Sequence, residues 1–153
     1  MPMKKILIIL LSGLFLPIKA QSTYTYTLPY HNTEVKVELH KKKDGKIQRF
    51  CGLYRYGKEI LPVRYEYEYN EMLKLFIFHN GKEAIIISAL TGNAVKYYTA
   101  PKRSVIHEAS FRPITSFTFE AVVKTSKETT LATYTVIRGK VHKIPPGNRY
   151  VVH

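Results

Sequence analysis

The stretch Glu34-Val35-Lys36-Val37-Glu38-Leu39 puts an aliphatic side chain on every second position and a charge on each position between, and Lys43-Asp44-Gly45 follows it closely. A period of two is the pattern of a strand with one buried and one wet face. A glycine next to an aspartate supplies the turn that folds such a strand back on itself. The same alternation recurs upstream in Thr23-Tyr24-Thr25-Tyr26-Thr27 and downstream in Phe117-Thr118-Phe119-Glu120-Ala121. Further turn signals stand at Tyr56-Gly57-Lys58, Asn80-Gly81, Thr91-Gly92-Asn93 and Arg138-Gly139-Lys140.

No stretch after residue 20 sustains a 3.6-residue period over three turns, so the expected fold is all-β, an antiparallel meander of hairpins forming a repeat-like sheet, small barrel or sandwich. One helical turn is expected between Val105 and Ser110. Pro101 and Pro113 bracket a less regular stretch. Hairpins are expected from Thr115–Lys124 with Leu131–Arg138, then Val141–Ile144, with Pro145-Pro146-Gly147 as a stop. The predicted core contains Val35, Val37, Leu39, Leu53, Ile60, Leu75, Ile85, Ile87, Phe117, Phe119, Val136 and Ile144.

The N-terminus reads differently. Lys4 and Lys5 precede an apolar run from Ile6 to Leu16, broken by Pro17, and Ala20 stands before Gln21. This is the layout of a secretory signal, a signal helix expected to be removed after residue 20. Its run of about eleven residues is short of the roughly twenty that span a bilayer as a helix. No cysteine follows it, which argues against a lipoprotein. The chain is thus expected to be exported, to the periplasm or beyond, and to meet the membrane only through this signal. Residues 21–153 then form one β-rich domain, of a size able to bury its own core. Cys51 is the only cysteine of the chain, so no internal disulfide is available, and its place between Phe50 and Gly52 suits a small buried hydrophobe.

The chain carries 24 basic and 11 acidic side chains. Lys4, Lys5 and Lys19 would leave with the signal, so 21 basic and 11 acidic groups remain and the mature charge is +10. Such a field favours encounter with anionic surfaces. Lys41, Lys42 and Lys43, beside the Asp44-Gly45 turn, are the densest cationic cluster and the expected contact with an anionic partner. Tyr65, Tyr67 and Tyr69 share one face of a strand and are either a candidate stacking surface for sugar rings or bases or, as the strand propensity of tyrosine favours, a half-buried packing surface. Glu66 and Glu68 on the opposite face argue against nucleic acid there, and no specific nucleic-acid partner is expected.

Two segments of the chain match each other at an offset of 36 residues, from Asp44 to Asn80. The first runs Asp44-Gly45-Lys46, then Cys51-Gly52-Leu53-Tyr54, then Gly57-Lys58-Glu59-Ile60-Leu61-Pro62-Val63-Arg64-Tyr65. The second runs Asn80-Gly81-Lys82-Glu83-Ala84-Ile85-Ile86, then Thr91-Gly92-Asn93-Ala94-Val95. Over residues 44–96 the chain resembles WG-repeat proteins, whose units join a Trp-Gly strand to a Gly-Lys-Glu turn and a Pro-x-x-Tyr. Cys51 occupies the tryptophan position in the first segment and Glu83 in the second, where Ala84 replaces the glycine. The resemblance implies a β-repeat scaffold used for binding rather than catalysis.

Signals for chemistry are sparse. The six histidines, His31, His40, His79, His107, His142 and His153, show no metal-ligand spacing, so no metal or other cofactor is expected. No nucleophile elbow or phosphate-cradling loop is present. The expected function is therefore that of a binding module for a cell-envelope polymer or protein. The alternatives are a small secreted hydrolase using His107 and Glu108 or the carboxylates Glu66, Glu68 and Glu71, and an envelope inhibitor or immunity protein.

Overall fold

A computed structural model describes residues 22–145. The expected signal segment and the stop at Pro146-Gly147 lie outside them. Eleven strands follow one another with no helix among the described residues: β1 (Ser22–Tyr30), β2 (Thr33–Lys41), β3 (Ile47–Arg55), β4 (Lys58–Asn70), β5 (Leu75–His79), β6 (Glu83–Ser88), β7 (Ala94–Thr99), β8 (Ile106–Pro113), β9 (Thr118–Thr125), β10 (Thr129–Ile137) and β11 (Lys140–Lys143). Every pairing is antiparallel. The chain divides after Tyr65 into two compact units, inside β4, whose first half pairs with β3 and second half with β5.

In the first unit β1 to β3 and the start of β4 form a meander. Pairing sets Val35 opposite Leu53 and Val37 opposite Cys51. These side chains, with Leu61 and Tyr65, are buried on one face, as the alternation required. The other face carries Lys36, Glu38, His40, Phe50 and Tyr54. Gly52 sits at a register break between Cys51 and Leu53, where a Cβ would lie 2.7 Å from the Leu61 carbonyl oxygen. Only a residue without a side chain permits that approach of β3 to β4.

The second unit is a two-layer sandwich. One layer runs from the end of β4 through β5 and β6 to β7; the other has the order β11-β10-β9-β8. Leu75, Ile77, Ala84 and Ile86 pack against Ile106, Ala109, Phe119, Ala121, Val123, Tyr134 and Val141. Phe119 lies between Phe111, edge-on at 5.2 Å, and Tyr134, stacked at 5.7 Å. Burying such rings is the largest apolar gain in a core of this size. Hydrogen bonds tie the layers at their ends: Thr91 Oγ1 donates to the Gly139 carbonyl at 2.8 Å and the Ile106 amide to the Gly81 carbonyl at 2.8 Å.

The predicted core holds at Val35, Val37, Leu53, Leu75, Ile85, Ile87 and Phe119, all buried. Leu39, Ile60, Val136 and Ile144 are half-buried. Phe117 is 50% exposed: it precedes β9, and its carbonyl accepts from the Val136 amide while its ring faces solvent. The turn expected at Val105–Ser110 is instead the start of β8, whose amides and carbonyls find partners in β9. A break in register at His107 had disguised the alternation there.

Candidate functional site

The cationic residues fall into two classes. In the second unit four of the eleven described cations are paired and the other seven are not: Lys74 pairs with Glu71 at 3.6 Å, Lys96 with Glu83 at 3.6 Å, Arg112 with Glu120 at 3.4 Å and Lys124 with Glu108 at 3.6 Å. The last two bridge neighbouring strands on the outer face of the β8 to β11 layer. In the first unit, Lys41, Lys42, Lys43, Lys46 and Lys58 are all exposed and make no ion pair among the described residues. Lys42, Lys43 and Lys46 belong to one tight loop that follows Lys41 at the end of β2, closed by the Gly45 amide on the Lys42 carbonyl and by the Asp44 carboxylate accepting from the Lys46 amide at 2.9 Å. Asp44 is thus spent on the backbone of the loop it turns.

At the other end of β3 the chain forms a cleft of about 390 Å³, lined by Arg55, Tyr56, Lys58 and Ile60. Its size falls within the range of small-molecule sites. Tyr56 and Gly57 form the two-residue turn between β3 and β4, with φ of 50° and 74°. Positive φ at both positions matches the twist of the flanking strands, and Gly57 adopts it without strain. Tyr56 does not, because its Cβ crowds the backbone in this region, at about 1 to 2 kcal/mol. The ring is 79% exposed, and the Arg55 guanidinium lies 4.9 Å from its centre. At the tip of the turn the ring and the guanidinium beside it are both within reach of a ligand. Nothing in the sequence flagged this arrangement beyond the turn signal Tyr56-Gly57-Lys58.

The two cationic loops lie at opposite ends of β3, about 26 Å apart along a nine-residue strand. The three candidate tyrosines lie where the packing reading puts them. Tyr65 is only 3% exposed. Tyr67 stacks on Phe78 at 5.5 Å and Tyr69 leans on Phe76 at 4.9 Å, so both rings serve packing within the second unit.

Of the carboxylates suggested for hydrolysis, Glu66 is exposed and the other three have partners. Glu68 accepts from the Phe111 amide at 3.1 Å, and Glu71 and Glu108 hold lysines. His107 and Glu108 are both exposed beside the register break. His79, one of the six scattered histidines, is 7% exposed at the end of β5 with its Nδ1 buried and unpartnered. Burial holds its pKa below the ordinary histidine value, against the opposing pull of Glu66 and Glu108. Among the described residues no group of histidine, cysteine and carboxylate side chains is arranged to hold a metal ion. No protein family, no curated protein and no solved structure matches the chain.

Proposed function

We propose that this chain is an exported binding module that holds an anionic polymer of the cell envelope against the cationic loops of its first unit. The observation that carries the proposal is a concentration of unpaired charge: the five exposed lysines of residues 41–58 have no carboxylate partner among the described residues, whereas four of the eleven described cations of the second unit do. A cation without an internal partner loses nothing when an external phosphate, sulfate or carboxylate displaces its counterions. Lys41, Lys42, Lys43 and Lys46 supply the long-range attraction. Arg55, Tyr56 and Lys58 supply a shaped contact, in which the guanidinium forks onto an anionic group and the tyrosine ring covers an apolar face of the ligand.

The test is a titration of binding to heparin, lipopolysaccharide and DNA between about 50 and 200 mM salt, where affinity for a counterion-releasing site falls steeply. Reversing Lys41, Lys42 and Lys43 to glutamate should weaken binding to each polymer and flatten its salt dependence. Tyr56→Asn should leave the fold intact or stabilise it, because asparagine tolerates positive φ, and should weaken the salt-resistant part of binding. Affinity that ignores both changes removes the proposal. Binding confined to another protein would turn it toward the protein-partner reading.

A further inference from the structure

We propose that β1 is a self-complementary edge through which two copies of this chain pair, antiparallel about Thr25. Four strands end the ladders of the described residues: β1 in the first unit, and β7, β8 and β11 in the second. An end strand presents unpaired amides and carbonyls, and folded proteins blunt such edges with charge, proline, bulges or brevity. Three of the four follow that rule. β7 carries Lys96 and pairs through a register break. β8 carries His107, Glu108 and Arg112, has its own break, and ends on Pro113. β11 has four residues, among them Lys140 and Lys143.

β1 departs from it. Its nine residues, Ser22-Thr23-Tyr24-Thr25-Tyr26-Thr27-Leu28-Pro29-Tyr30, include no charged side chain, and they pair with β2 in unbroken register. Pro29 is the only blunting device, one place from the end.

The direction of its amides follows from the hairpin. β1 and β2 are joined by the two residues His31 and Asn32, with Tyr30 opposite Thr33. The pair that closes a two-residue hairpin exchanges hydrogen bonds, and bonded pairs then recur at every second residue. Leu28, Tyr26, Tyr24 and Ser22 therefore aim their amides at β2. Thr23, Thr25 and Thr27 aim theirs outward, together with Pro29, whose missing N–H faces solvent as it must on an edge.

Antiparallel pairing about Thr25 sets Thr25 against Thr25 and Thr23 against Thr27 of the other copy, so that all three outward amides of each copy find a carbonyl. Tyr24 falls opposite Tyr26, and Pro29 lies past the last pair. Tyrosine meets tyrosine and threonine meets threonine, both favourable cross-strand combinations. The pairing also answers a gradient in burial. Tyr24 is 47% exposed and Tyr26 half-buried, while Val35 and Val37 on the same face of β2 are shielded completely or nearly so. A strand beyond β1 supplies the cover that β1 lacks. For a chain with 24 basic and 11 acidic groups, two copies meet with least repulsion on an uncharged strand, and this favours a second copy as the occupant.

Sedimentation of the purified chain over a range of concentrations tests the proposal, with Thr25→Lys, Thr25→Cys and, as a control on an exposed residue of another strand, Thr129→Lys. The chain should form a concentration-dependent dimer. Thr25→Lys, which opposes like charges at the centre of the seam, should raise its Kd about tenfold, and Thr129→Lys should not. Thr25→Cys should yield a disulfide-linked dimer on oxidation, because bonded antiparallel pairs hold their Cα atoms about 5.5 Å apart; buried Cys51 gives no such product. Thr25→Cys also keeps the test decisive should the lysine variant fold poorly. A chain that stays monomeric, that takes only a strand of a different protein, or whose dimer is indifferent to Thr25→Lys and does not cross-link, overturns the inference. None of these outcomes depends on whether the chain binds anionic polymers.

Discussion

The first unit is built on one sheet, with nine basic and four acidic groups between residues 22 and 65; the second is a sandwich that pairs three of its cations with carboxylates on neighbouring strands. Each exposed pair in the second unit is worth a few tenths of a kcal/mol at most, so the matching matters less for stability than for what it removes. A lysine held by a glutamate is poorly available to a ligand. The comparison teaches that an overall excess of positive charge locates no surface until partners are assigned side chain by side chain.

The sharpest way to break the comparison is at the packing that distinguishes the sandwich. Phe119→Ala empties the space between Phe111 and Tyr134 and should cost about 3 to 5 kcal/mol in denaturant unfolding. A cost under about 1 kcal/mol would mean the two layers are not held by this core. The first unit has a different weak point. Gly52→Ala forces a Cβ against the backbone at Leu61 and Pro62, and should cost about 1 to 3 kcal/mol by prising β3 from β4, read as lost amide protection in both strands.

A third measurement concerns pH. The folded pKa of His79 lies below its unfolded value of about 6.5, so the unfolded chain takes up the proton first and stability falls as pH drops through that value. His79→Gln should flatten the slope of stability against pH between about 7 and 5. An unchanged slope would place the dependence on other groups. The smallest effects come from surface lysines: Lys124→Ala should cost about 0.5 kcal/mol or less by releasing Glu108, and Lys42→Ala nothing measurable. A difference in the opposite sense would undo the assignment of paired and unpaired cations.

The sequence by itself determined most of the strands and where they turn, the start of β8 excepted. Alternation and turn chemistry are local, set by backbone sterics and by side chains reaching alternate faces. Gly45, Gly57, Gly81, Gly92 and Gly139 all adopt the positive φ that their turns were expected to need. It also marked Lys41, Lys42 and Lys43 as an exposed cluster. Tertiary structure decided which faces are covered. β5 is buried along its whole length, because both of its faces are packed, so period two is silent there and the burial of His79 was not legible. Phe117 and Phe119 share a period yet differ in burial, because only Phe119 reaches into the sandwich. The Arg55, Tyr56 and Lys58 cleft and the bare edge of β1 depend on what lies beside each residue in space, and neighbours distant along the chain leave no mark in the pattern around it.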